Sequence, residues 1–139
     1  MRLNKKAFTL VEIIIVVAII VLLAAIAIPN LLRARLNANE ASAIAALKTL
    51  SSAMETYFVS QRKYPSDLTY LVGATPPYID SVLGSGNKSG YWFNLSGGGN
   101  TYNVTATPLA PNVSGIRTFF LDPSGVIRVG TDDTGTPIS

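Results

Sequence analysis

The sequence predicts an α+β protein: one long N-terminal α-helix, hydrophobic in its first half and amphipathic in its second, packed against a small antiparallel β-sheet. Three observations carry this. Ile13 to Ile28 is an unbroken apolar run. Apolar residues then recur at helical spacing as far as Tyr57, with no glycine from Met1 to Gln61. Beyond Gly90, short β-rich segments alternate with turn sequences.

From Ala7 to Ile28 only Thr9 and Glu12 are polar. Phe8 to Ile28 would make a helix of ~31 Å at ~1.5 Å per residue, which matches a bilayer hydrocarbon core of ~30 Å. Met1 to Ala7 is short and basic, with Arg2, Lys5 and Lys6. Positive charge before an apolar span predicts that the start stays cytoplasmic and the rest is translocated. An ordinary secretory signal is the alternative, with a small-residue cleavage site near Ala24-Ala25-Ile26-Ala27.

After Pro29 the pattern turns one-sided. Leu32, Leu36, Ala43, Leu47, Leu50, Met54 and Tyr57 recur at spacings of three, four and seven, while Arg33, Arg35, Asn37, Asn39, Glu40, Lys48, Ser52 and Glu55 mostly take other faces. That is a helix with one buried stripe. The expected element is a single helix from about Phe8 to Phe58, ~76 Å long, kinked at Pro29. Three segments follow: 1–7, a basic start; 8–29, the hydrophobic helix; 30–139, a soluble domain.

Tyr64-Pro65-Ser66-Asp67 reads as a turn, Asp67 to Val72 as a short helical turn, Pro76-Pro77 as extended and Gly84-Ser85-Gly86 as flexible. Strands are expected at Tyr91–Leu95, Tyr102–Thr107, Thr118–Leu121 and Val126–Val129. Asp122-Pro123-Ser124-Gly125 joins the last pair with good turn chemistry. Short strands and short turns predict an antiparallel meander, with the tail from Thr131 to Ser139 frayed.

The formal charge is +3, from 11 basic and 8 acidic residues. Arg2, Lys5 and Lys6 account for the excess, so the pI gives little reason to expect nucleic acid as a partner. With no Cys and no His, disulfides, thiolate metal sites and Cys or His catalysis are excluded. No motif gathers the remaining Asp, Glu, Lys or Ser into a catalytic group, and no cofactor is expected. Glu12 stands apart. A carboxylate in an otherwise apolar span costs up to ~3 kcal/mol near the bilayer centre, and such residues usually have a functional partner.

Lys5-Lys6-Ala7-Phe8-Thr9-Leu10-Val11-Glu12 followed by an apolar helix closely resembles the N-terminus of type IV prepilins and type II secretion pseudopilins. The segment Phe119-Phe120-Leu121-Asp122-Pro123-Ser124-Gly125-Val126-Ile127-Arg128 is also similar to relatives in that family. The resemblance implies that residues 1–7 are a leader, cut by a prepilin peptidase between Ala7 and Phe8, where the family normally has Gly in place of Ala7. It implies N-methylation of the new Phe8 amine, an inner-membrane assembly platform, and a homo-oligomeric helical filament. In that filament Glu12 would meet the Phe8 amine of a neighbouring subunit. Pro29 stands near where similar helices locally melt on assembly.

Weaker signals have plainer readings. Asn87, Asn94, Asn103 and Asn112 open formal glycosylation sequons in a chain rich in Asn, Ser and Thr. Tyr91-Trp92-Phe93 and Phe119-Phe120 are read as core before surface. Asp122, Asp132 and Asp133 could help bind calcium, as in a major pseudopilin; turn and tail solvation is the simpler reading. Arg33 and Arg35 are expected on the filament surface or paired with Glu40. Two functions are carried forward, pilus subunit and secretion pseudopilin. A third is a single-pass anchor for a binding domain, which would need neither Glu12 nor the leader.

Overall fold

The computed structural model describes residues 6–138. The chain divides into two compact units, the first ending at Ala34 and the second running Arg35–Ser139.

One helix, α1, spans Leu10–Gln61, 52 residues. It starts two residues later than the sequence predicts, because Thr9 acts as its N-cap. Pro29 lies inside it without a break. In the first unit nearly every helix residue is exposed, and one segment is long and apolar enough to cross a membrane.

In the second unit α1 buries Glu40, Ala43, Ala46, Leu47, Leu50, Ala53, Met54 and Tyr57. The expected stripe therefore holds from Ala43 to Tyr57. Leu36 is half-buried and Leu32, at 55% exposure, is outside it. The helix stops at Arg62, whose backbone turns left-handed (φ 58°) while its N–H still bonds to the Phe58 carbonyl.

Two single-turn helices follow, α2 at Thr69–Val72 and α3 at Ser81–Gly84. The Asp80 carboxylate caps α3 by accepting from the Leu83 N–H at 3.2 Å. Leu71 and Leu83 carry these turns into the core.

The sheet has six strands in the order β1-β2-β3-β4-β5-β6. They are β1 Asn87–Lys88, β2 Tyr91–Gly98, β3 Thr101–Pro108, β4 Phe119–Leu121, β5 Ile127–Val129 and β6 Thr136–Pro137. Every neighbouring pair is antiparallel, so the expected meander is the observed one. Alternation sets the faces: Tyr91, Phe93, Tyr102, Val104 and Ala106 point inward and join Leu47, Leu50 and Met54 in one core. Trp92, 46% exposed, is the exception to the expectation that the aromatic clusters are core. Gly125, at φ +75°, supplies the backbone that the Asp122–Gly125 turn requires.

The tail corrects one expectation. Of the expected frayed stretch Thr131–Ser139, Ser139 lies outside the described residues, and Thr136–Pro137 pairs with Arg128 and Val129. The Ile138 N–H also donates to the Ile127 carbonyl at 2.8 Å. Edge pairing of the backbone holds a segment that has no apolar pattern of its own.

Candidate assembly site

Residues 6–9 lie outside any helix or strand. The Ala7–Phe8 peptide bond therefore lies ahead of the helix, outside regular structure, and Phe8 is 84% exposed. Helix α1 begins immediately after, on a reciprocal cap. The Thr9 N–H donates to Glu12 Oε2 at 2.9 Å, and the Glu12 N–H donates to Thr9 Oγ1 at 3.2 Å. Thr-x-x-Glu ahead of an apolar run is a capping box, which satisfies two of the donors a helix start leaves open. The pattern was legible in the sequence, and it assigns Thr9 a role that the apolar reading passed over.

Glu12 is thus placed rather than free. One carboxylate oxygen is held by the backbone of its own chain, at the helix end where the dipole favours negative charge. Oε1 receives no hydrogen bond among the described residues, and the side chain is exposed. From Ile13 to Leu32 no ionisable residue follows. This is one carboxylate, at fixed geometry, at the start of an apolar surface.

A second charged residue, Glu40, which the sequence pattern set among the polar residues off the apolar stripe, organises the other unit. Glu40 is buried at 7% exposure. Its Oε1 accepts from the backbone N–H groups of Ile116 at 3.1 Å and Arg117 at 3.0 Å, and its Oε2 from Arg117 Nε at 3.0 Å. Arg117 Nη2 lies 2.9 Å from the same oxygen. Burial alone would raise the Glu40 carboxyl. Hydrogen bonds from the Arg117 N–H, the Arg117 guanidinium and the Ile116 N–H outweigh it and hold the group below its ordinary value. Arg33 and Arg35, expected on the surface or against Glu40, are exposed. Tyr91 completes the cluster by donating its hydroxyl to the Arg117 carbonyl at 2.8 Å. Burial, and then the charge of Glu40, push that hydroxyl up to about 12 against the pull of Arg117.

The acidic turns satisfy their carboxylates locally. The Asp122 carboxylate accepts from the Ser124 N–H at 2.9 Å and from the Ser124 hydroxyl. The Asp132 carboxylate accepts from the Thr134 N–H at 3.0 Å and the Thr134 hydroxyl at 2.5 Å. Among the described residues no three acidic groups gather to hold an ion.

What this geometry defines first is a class: a chain whose long N-terminal helix begins with a segment apolar enough to cross a membrane and continues into a small sheet domain. Comparison with known proteins makes the class specific. Residues 2–28 match the prokaryotic N-terminal methylation motif. The chain is 36% identical over 109 residues to the type IV wide pilus major component PilA4 of Thermus thermophilus, covering 76% of this chain and 83% of that protein. It is 37% identical over 95 residues to the type IV major pilin protein PilA of Myxococcus xanthus, covering 68% of this chain and 40% of that one. Against the type II secretion system core protein G of Escherichia coli it is 32% identical over 91 residues, covering 63% and 61%. The chain belongs to the type IV pilin and pseudopilin family. It is a structural subunit of a pilus-like filament and not an enzyme.

Proposed function

We propose that the chain is the subunit of an extracellular type IV pilus, made from a precursor inserted once in the cytoplasmic membrane. Residues 1–7 are a leader removed by a prepilin peptidase between Ala7 and Phe8. The new Phe8 amine is methylated, the subunit passes to an inner-membrane assembly platform, and residues 8–29 move from bilayer to filament core. Pro29 withholds one backbone donor inside α1 and is the place where this helix can yield during that transfer. Residues 30–139 remain the soluble head.

The observation that carries the reading is the held Glu12 carboxylate. Its Oε2 is engaged by Thr9 and its Oε1 takes no hydrogen bond among the described residues, beside the point where cleavage would create a positive amine. Burying both charges in an apolar filament is tolerable only if they pair. Glu12 therefore acts as a register device, admitting an incoming subunit only where its Phe8 amine meets the carboxylate of a neighbour.

A second reading, a pseudopilin of type II secretion, draws support from the likeness to core protein G. The same experiment addresses both. Filaments sheared from cells, measured by intact mass, should contain a chain that begins at a methylated Phe8. A mass retaining Met1 to Ala7, or beginning after Ala27, contradicts the processing scheme. Long surface fibres favour the pilus, and subunits confined to the periplasm favour the pseudopilus.

A further inference from the structure

The segment between β3 and β4, Leu109 to Arg117, is built with more care than a surface connection needs. The Leu109 N–H bonds to the Gly90 carbonyl at 2.9 Å. The Ala110 N–H donates to Ser114 Oγ at 2.9 Å, and the Asn112 N–H donates to the Gly115 carbonyl at 2.8 Å. Gly115 is buried, and a Cβ there would run into the Tyr91 ring. Two side chains of α1 grip the loop from below: Asn39 Nδ2 donates to the Ser114 carbonyl at 2.8 Å, and Glu40 takes the Ile116 and Arg117 amides.

On this rigid frame stand Leu109, Val113 and Ile116, exposed at 50%, 69% and 63%. Other exposed large apolar residues of the second unit, such as Val59, Val82 and Trp92, are scattered singly along the chain. Leu109, Val113 and Ile116 instead lie on one short loop, residues 109–116; exposed apolar groups gathered on one segment are a candidate interaction surface, and a loop already fixed loses little entropy when it binds. The Glu40 carboxylate, buried itself, also ties down the half-exposed Arg117 side chain at the end of the loop.

We infer that Leu109, Val113 and Ile116 form a contact surface for the apolar helix, Ile13–Ile28, of a second copy of this chain. The occupant follows from symmetry and charge. An open helical filament requires a heterologous interface, in which two different patches of one chain complement each other across copies. The exposed, uncharged helix is one such patch. Its complement must also be apolar and free of unpaired charge. Leu109 to Ile116 contains no ionisable residue, and the nearest charge, Arg117, is already committed to Glu40. The inference rests on filament assembly, which the untreated wild-type fibre yield checks separately.

The chain has no cysteine, so site-directed cross-linking is clean. Cells would co-express a Val113→Cys chain with a second chain carrying one cysteine at Val16, Val17, Ile19, Ile20, Leu23 or Ile26. Sheared fibres would then be treated with a short bismaleimide. The expected result is a dimer for helix positions three or four apart and none for positions on the opposite face. In parallel, Val113→Asp with Ile116→Asp should lower fibre yield by about tenfold or more, since an apolar contact would then bury unpaired carboxylates. Membrane-inserted subunit and head melting temperature should stay unchanged. Fibres that form normally in the Asp variant and give no dimer anywhere in the scan overturn the inference. So does a loss confined to membrane association before assembly, which would make the bilayer surface the occupant.

Discussion

The same side chain has opposite energetic roles in the two halves of α1. Leu22 and Leu50 sit in one uninterrupted helix, yet Leu22 is 63% exposed and Leu50 is fully buried. The first half is apolar on all sides, so no single partner surface of its own chain could cover it. The second half is apolar on one side and meets a sheet that fits that side. The difference teaches where each half gets its free energy: Leu50 stabilises the fold of one chain, and Leu22 contributes only against lipid or another copy.

One truncation made in both halves is the sharpest way to break this contrast. Leu50→Ala should destabilise the head by about 2–5 kcal/mol, the range for a buried leucine that leaves a cavity. Leu22→Ala should leave the denaturation midpoint of the head where it was. Chemical denaturation followed by near-ultraviolet circular dichroism on detergent-solubilised chain measures both. Equal shifts would show that the first half also packs within its own chain.

A smaller effect belongs to Glu40, the buried carboxylate of the helix. The carboxyl of Glu40 is depressed in the folded state, so its contribution is fully present above the unfolded pKa of ~4.3 and is lost as pH falls through the lower folded value. Wild-type head should lose stability on acidification below that point. Glu40→Gln should cost about 1–3 kcal/mol at neutral pH, by leaving the Arg117 guanidinium and one amide poorly matched, and should flatten the acid limb. A variant that keeps the wild-type pH profile would remove Glu40 from the account of the loop.

The capping box gives the smallest effect. Thr9→Val removes the hydroxyl acceptor and should weaken the first turn by about 1 kcal/mol, while Thr9→Ser should be nearly neutral. Amide exchange of Leu10 to Ile13 in micelles should quicken in the valine variant alone. Equal exchange in both variants would show that the cap does not hold the helix start.

These residues also show what the sequence could disclose. The long helix and strands β2 to β5 were legible because each carries a period, 3.6 or 2, enforced by burial on one face. Strands β1 and β6 were not, since two residues hold no period and their pairing is decided by neighbours. Thr131 to Ser139 looked frayed for the same reason. Glu12 stood out as the one charge in an apolar span. Glu40 was missed although its signal was present: it falls between Leu36 and Ala43, in phase with the stripe that continues to Leu47 and Leu50. An acid in phase with an apolar stripe asks for a buried partner. That partner, Arg117, lies 77 residues further on, beyond the reach of any local pattern, whereas Arg33 and Arg35 were near in sequence and faced solvent.

The account stands most directly on Glu12, and one measurement tests it: sheared surface fibre relative to membrane-inserted subunit, across a series at that position. Glu12→Ala should insert as well as wild type or slightly better, because a polar group leaves the apolar span. Its fibre yield should collapse, since a buried pair broken on one side costs about 3–5 kcal/mol. Glu12→Gln can keep the capping box and should be less impaired, and Glu12→Asp, which keeps the charge on a shorter arm, should be mildest. A normal fibre yield from Glu12→Ala would contradict the account, leaving the carboxylate as a helix cap on an ordinary anchor.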